Sequence, residues 1–425
     1  SERSSILPFS GSGVTTTTTP RPDTRLHVSQ TVAMHAIRPS SIGHLLRRTP
    51  RPHAPLVTSP WRATSLTGSL PLPPLSRLGV TTQKRQLHDA FLLPPLYFTG
   101  LLLALWTWKC LMMVVFQNKI IYMPGLPPAA RRERIEDYEK QCWGMRWEEK
   151  RVQAADGTDL ALCVASVTST GNEKTTSPAE PLAVPSICVL YFQGNASSIP
   201  PRLPDLSWVL RTLQRSKRPA RYIMVCLSYR GYWRSRGRPS EKGINLDAQA
   251  ALRWIGQMHE DTVGHRQQPL ELVIWGQSIG SGVATNLAAW EGFPPTLRLR
   301  SLILETPFTS VRDMLGELYP QKWVPYRHLW PFLRNHLDNL TNIAGIAKNN
   351  RVSSGQDKPH VTIVEAGRDE LVPADHGARL VRRCEEFGLP VEKKTVRGAF
   401  HNDAVIRLEG RQAVADAIEQ VAAKI

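Results

Sequence analysis

Five short, nearly uninterrupted apolar runs recur between residues 186 and 364, and they limit the fold more than any other feature. They are 186–192 (SICVLYF), 222–227 (YIMVCL), 271–275 (ELVIW), 301–304 (SLIL) and 361–364 (VTIV). A strand with one wetted face alternates polar and apolar residues. Runs without that alternation belong to strands buried on both faces, as in parallel sheets covered by helices. Helical stretches fall between and after them at 244–258, 278–290, 375–387 and 411–425. Strands alternating with helices of this length predict βαβ units and a mostly parallel α/β sheet with helices on both faces. Two further strands, 147–154 and 159–167, are joined by the tight-turn pair Asp156-Gly157.

The third apolar run leads directly into Gly276-Gln277-Ser278-Ile279-Gly280 and then an apolar helix. A serine flanked by glycines is a weak signal alone, but its place between a buried strand and a helix makes it a nucleophile-elbow candidate. Small residues are needed there because the serine sits on a strained turn. A serine hydroxyl needs a base, and the base needs an orienting acid. Five histidines follow Ser278. His360 opens a strand, His376 sits in a helix, and His328 and His336 lie in the irregular stretch 308–358. His401 lies in the loop between the last strand-like segment (VEKKTV) and the last helix, and Asp369 ends the preceding strand. The expected set is therefore Ser278, Asp369 and His401, with Gly276, Gln277 and Gly280 shaping the elbow. The backbone N–H groups of Asn195, in the turn after the first buried strand, and of Ile279 are the expected oxyanion donors.

Upstream, residues 91–108 pass without a charge, and the 22 residues 95–116 would span about 33 Å as a helix, near the thickness of a bilayer core. Pro94-Pro95 suits the first turn of such a helix, and its one charge, Lys109, is expected to snorkel toward the interface. Residues 1–90 are Ser-, Thr-, Pro- and Arg-rich and carry +8 of the chain's net +17, so the remainder is only mildly basic and calls for no nucleic acid. The acid-free stretch 34–88 has the composition of an organellar targeting segment, the alternative being a disordered basic tail. Six scattered cysteines at 110, 142, 163, 188, 226 and 384 argue against a disulfide framework and a metal site. No cofactor is expected.

The expected organisation is 1–90 disordered and basic, 91–117 a transmembrane helix, 118–146 a linker and 147–425 the catalytic domain. The insertion at 308–358 is either a lid or packing against the sheet.

Over residues 117–425 the chain resembles the membrane-anchored abhydrolase-domain serine hydrolases of the α/β-hydrolase superfamily, a group with lysophospholipase-, monoacylglycerol-lipase- and depalmitoylase-like members. The segments that carry the resemblance are YFQGNASS, LSYRGYWRSRGRPSEKGINLDAQAAL, GQSIGSGVA, LILETPFTSV, AGRDELVP and GAFHNDAV. It implies an α/β-hydrolase fold and the triad Ser278, Asp369 and His401. It also implies a lipid or acylated-protein ester or thioester as substrate. With the single apolar span, the expected location is single-pass in the membrane of endoplasmic reticulum or mitochondrion. A membrane scaffold that kept the fold is the alternative. Two positions depart from the group: Gln193 stands where His is usual, and Trp233 where Gly is usual, in a loop often near the site.

Overall fold

The computed structural model describes residues 80–169, 184–263, 269–349 and 358–425. The basic tail and targeting segment expected at 1–90 lie outside the described residues up to position 79. So do residues 170–183, between the second strand and the run 186–192, and residues 350–357 of the 308–358 insertion.

Eight strands form one sheet: β1 (Glu148–Gln153), β2 (Asp159–Ser169), β3 (Ser186–Phe192), β4 (Ala220–Ser228), β5 (Leu270–Gln277), β6 (Leu297–Glu305), β7 (His360–Ala366) and β8 (Val391–Val396). Their order is β1-β2-β4-β3-β5-β6-β7-β8. The pairs β1/β2 and β2/β4 are antiparallel and all others parallel. This is the mostly parallel α/β sheet that the apolar runs predict.

The period-two geometry of a strand divides the core in two. Cys188, Leu190 and Phe192 of β3 point to one face, where they meet α4 (Glu241–Val263), α5 (Ile279–Ala289), α7 (Asn339–Lys348) and α8 (Asp375–Glu386). Ile187, Val189 and Tyr191 point to the other, covered by α3 (Leu203–Gln214) and α9 (Leu408–Ala422). All six cysteines are free, and five of them are buried.

Three features differ from expectation. The long helix α1 runs from Val80 to Val115 and contains Pro94 and Pro95 in its interior instead of starting there. The residues before the prolines, TTQKRQLHDAF, hold no breaker, so the helix extends through the backbone bonds that the two rings remove. Within it, Phe91–Val115 is long and apolar enough to cross a membrane. Residues 118–146 are not a free tether. A short helix α2 (Gln117–Tyr122) buries Tyr122 completely, and the charged run at 129–140 forms only a 3-10 turn at Glu136–Gln141. Third, α3 was not anticipated. Its apolar positions Leu203, Leu206, Val209, Leu210 and Leu213 have helical spacing, but Pro200, Pro201 and Pro204 crowd its start.

Candidate active site

The site is built at the carboxyl ends of β3, β5, β7 and β8. β5 ends at Gln277 and α5 begins at Ile279, so Ser278 alone makes the turn, with φ 52° and ψ −117°. A side chain rarely adopts that conformation, and here the packing holds it. The flanking glycines make this close approach possible. A Cβ on Gly276 would meet the Gly280 carbonyl oxygen at 2.2 Å, and one on Gly280 would meet the Phe192 carbonyl oxygen at 2.3 Å. The Ser278 N–H donates to the Glu305 carbonyl at 2.9 Å, tying the elbow to the end of β6.

His401 brings its Nε2 to 2.8 Å from Ser278 Oγ. Its Nδ1 lies 2.8 Å from Asp369 Oδ2 and 3.0 Å from Oδ1. An ionised carboxylate only accepts, so Nδ1 carries the ring proton and Nε2 is left to accept the serine O–H. Asp369 is fixed in turn: its Oδ1 accepts the N–H groups of Leu371 at 2.9 Å and Val372 at 2.8 Å. The Asx-turn role and the orienting role thus coincide in one side chain. Glu370, which the sequence did not single out, accepts the His401 N–H at 3.0 Å and holds the backbone of the histidine loop. His401 is 3% exposed and Ser278 9%. The other histidines lie elsewhere. His376 is buried with Nδ1 on the Thr309 N–H, its pKa lowered chiefly by that burial. His328 faces the Lys322 carbonyl at 2.9 Å.

The turn after β3 lies against the elbow. A Cβ on Gly194 would stand 3.6 Å from Ser278 Cβ, an ordinary packing distance, so the turn lies directly against the serine. The amides of Ala196 and Ser197 are bonded to the carbonyls of Tyr122 and Leu126. Gln193 is buried, with Nε2 3.4 Å from the Ala196 carbonyl, and Tyr229 donates to the Gln193 carbonyl at 2.8 Å. Gln193 thus braces the turn from within. Trp233 is buried, and its Nε1 donates to the Glu133 carbonyl at 2.8 Å. Its φ of 36° explains why a glycine would suit this position.

Sequence reasoning missed Glu305. It is the last residue of β6, fully enclosed, and its Oε2 accepts the Trp275 Nε1–H at 3.0 Å. Desolvation pushes its carboxyl from an ordinary 4.5 up to about 7, against the opposing pull of Arg202. A carboxyl raised on folding favours the folded state fully below the unfolded value, and that contribution is lost as pH rises toward 7. Glu305→Gln keeps an acceptor for Trp275 and cannot ionise. Wild type is expected to lose about 3 kcal/mol of stability between pH 4.5 and 7.5 that the variant does not lose. Melting temperatures of both proteins across that range check it, and parallel curves would refute it.

The sheet order and the strand–Ser278–helix elbow define an α/β-hydrolase-fold protein. Proteins of the alpha/beta-hydrolase-domain group are among those the chain is similar to. It is 34% identical over 221 residues to the lysophosphatidylserine lipase ABHD12 of Danio rerio, covering 49% of each chain. It is 31% identical over 214 residues to the alpha/beta hydrolase domain-containing protein WAV2 of Arabidopsis thaliana, covering 50% of this chain and 58% of that one. It is 33% identical over 224 residues to an uncharacterised protein of Mycobacterium tuberculosis, covering 52% of this chain and 65% of that one. The chain spans less than two thirds of the length of these curated relatives. No family model matches it.

Proposed function

We propose that this chain is a membrane-anchored serine hydrolase that cleaves a carboxylic ester or thioester of a lipid, with Ser278 as nucleophile, His401 as base and Asp369 as its orienting acid. The observation that carries the reading is the unbroken Ser278–His401–Asp369 hydrogen-bonded chain at the strand ends. In the reaction His401 Nε2 takes the Ser278 proton as Oγ attacks the acyl carbon. The tetrahedral oxyanion is held by the N–H groups of Ile279 and Asn195. Nε2 then returns the proton to the leaving alcohol or thiol, and water repeats the sequence on the acyl-enzyme.

A lipid substrate is supported by the lipase relatives and by the surroundings of the apolar helix. The insertion after β6 packs its base on α5, where Asn339 Nδ2 reaches Ser281 Oγ at 3.2 Å. Its tip flanks α1: Trp323 lies 5.7 Å from Trp106, and Arg334 donates to the Val114 and Val115 carbonyls at 3.0 and 3.2 Å. The Lys109 ammonium sits 4.1 Å from the centre of the Tyr326 ring. Around this contact Leu318, Trp323 and Phe332 are exposed, which supports an interfacial apolar surface beside the spanning helix. Arg131 is bonded to the Gly231 and Ser235 carbonyls, Arg234 is paired with Glu149, and Arg236 lies 3.9 Å from Asp159.

The test compares a long-chain lysophospholipid in vesicles with a soluble short-chain ester, using the full chain. Trp323→Asp is expected to lower turnover of the vesicle-borne ester about tenfold more than that of the soluble one, since burial of such a side chain contributes a few kcal/mol. Equal losses on the two, or no long-chain turnover by wild type, would contradict a lipid substrate drawn from the bilayer.

A further inference from the structure

We propose that the segment leaving the spanning helix, residues 117–138, is a positioning strap for the oxyanion turn, so that the exit peptide of the anchor belongs to the catalytic apparatus. The inference rests on the serine-hydrolase reading above.

The turn that follows β3 is not self-supporting. Ala196 and Ser197 both have left-handed backbones, with φ 56° and 61°, and consecutive non-glycine residues hold that conformation only when their surroundings impose it. The restraint comes from the strap. The Ala196 N–H donates to the Tyr122 carbonyl at 3.0 Å, and the Ser197 N–H donates to the Leu126 carbonyl. The Ser198 hydroxyl donates to the Glu133 carboxylate. Three consecutive residues of the turn are therefore bonded to three points on the strap. With the Ala196 and Ser197 amides committed to the strap, the Asn195 amide is the turn's donor to the oxyanion, and the adjoining Gly194 packs against Ser278.

The strap is itself held from both sides. The Tyr122 carbonyl also accepts the Tyr232 hydroxyl, and the Tyr122 hydroxyl donates to Asn335 Oδ1 at 3.1 Å at the foot of the insertion. The Glu133 carbonyl accepts Trp233 Nε1–H at 2.8 Å, and Arg131 reaches the Ser235 carbonyl at 3.1 Å. The oxyanion turn is thus enclosed between the strap and the loop 229–235. Oxyanion donors act only within about 0.4 Å of their working distance, so a turn freed from the strap loses transition-state binding before it loses substrate binding.

The experiment uses the full chain in detergent micelles and a soluble p-nitrophenyl ester, which separates the strap from any effect of the bilayer. Glu133→Ala and Ser198→Ala are each expected to lower kcat about tenfold with KM within twofold of wild type. The double variant should be no worse than either single one, and Glu133→Gln, which keeps an acceptor oxygen, should recover most of the loss. Affinity for a trifluoromethyl ketone transition-state analogue should fall in step with kcat/KM, while active-site titration with a fluorophosphonate reaches the wild-type endpoint. Tyr232→Phe, which leaves the Glu133 contact intact, should show the same kcat-only loss. Wild-type kcat at full titre in Glu133→Ala and Tyr232→Phe would overturn the inference and leave the hydrolase reading standing. So would additive losses in the double variant. A wild-type chain that does not turn over the ester would refute the hydrolase reading and the strap with it.

Discussion

His401→Ala is expected to lower kcat on a soluble ester by about five to six orders of magnitude while the protein still folds. Among the described residues, the imidazole is the base within hydrogen-bonding reach of Ser278 Oγ, at 2.8 Å. Without it the hydroxyl must ionise near its solution pKa, far above working pH. The ring is buried in a loop, so its removal leaves a cavity and an unpaired Asp369 and costs stability too. A readout at matched folded fraction separates the two effects. Ser278→Ala should fall to the same floor, and the double variant should fall no further, because the two groups act as one unit. A His401→Ala protein that keeps even a hundredth of wild-type kcat would remove the histidine from the mechanism.

Asp369→Asn is expected to cost about four orders of magnitude in kcat, with the fold retained. The carboxylate accepts from His401 Nδ1 and from two backbone amides at once. An amide oxygen can keep the backbone bonds, but its NH₂ then faces Nδ1 and favours the tautomer with the proton on Nε2. That tautomer cannot accept from Ser278. The prediction therefore singles out the proton's position over the turn's stability. Asp375→Asn serves as the comparison: Asp375 is exposed at the start of α8, and the change should leave kcat within about twofold. The reverse ranking of the two variants would transfer the acid role away from Asp369.

The parts of this arrangement that were legible in the sequence are those coded by local pattern. The run SICVLYF becomes β3 with its bounds unchanged, and VEKKTV becomes β8, because apolar period and flanking turns act within a few residues. Ser278, Asp369 and His401 could be named together because each sits at the end of a strand, where a parallel sheet gathers its loops. What was not legible depends on partners distant in sequence. Tyr122 looked like linker, yet its carbonyl holds Ala196, and nothing near either residue encodes that pairing. Glu305 reads as an ordinary strand end until the burial of its carboxyl under Trp275 is known. The start of α1 was misplaced because Pro94-Pro95 is a local breaker that the surrounding helix overrides. The Trp233 indole donates to the Glu133 carbonyl, a pairing that nothing near either residue encodes.

The claim on which the rest depends is that Ser278 is an activated nucleophile, and covalent labelling tests it most directly. The full chain in membranes is treated with a fluorophosphonate probe, digested, and the modified peptide is identified by mass spectrometry. The account predicts one adduct, on the Ser278 hydroxyl, absent in Ser278→Ala and formed orders of magnitude more slowly in His401→Ala. Labelling of Ser278→Ala at the wild-type rate, or an adduct on a different serine, would contradict it.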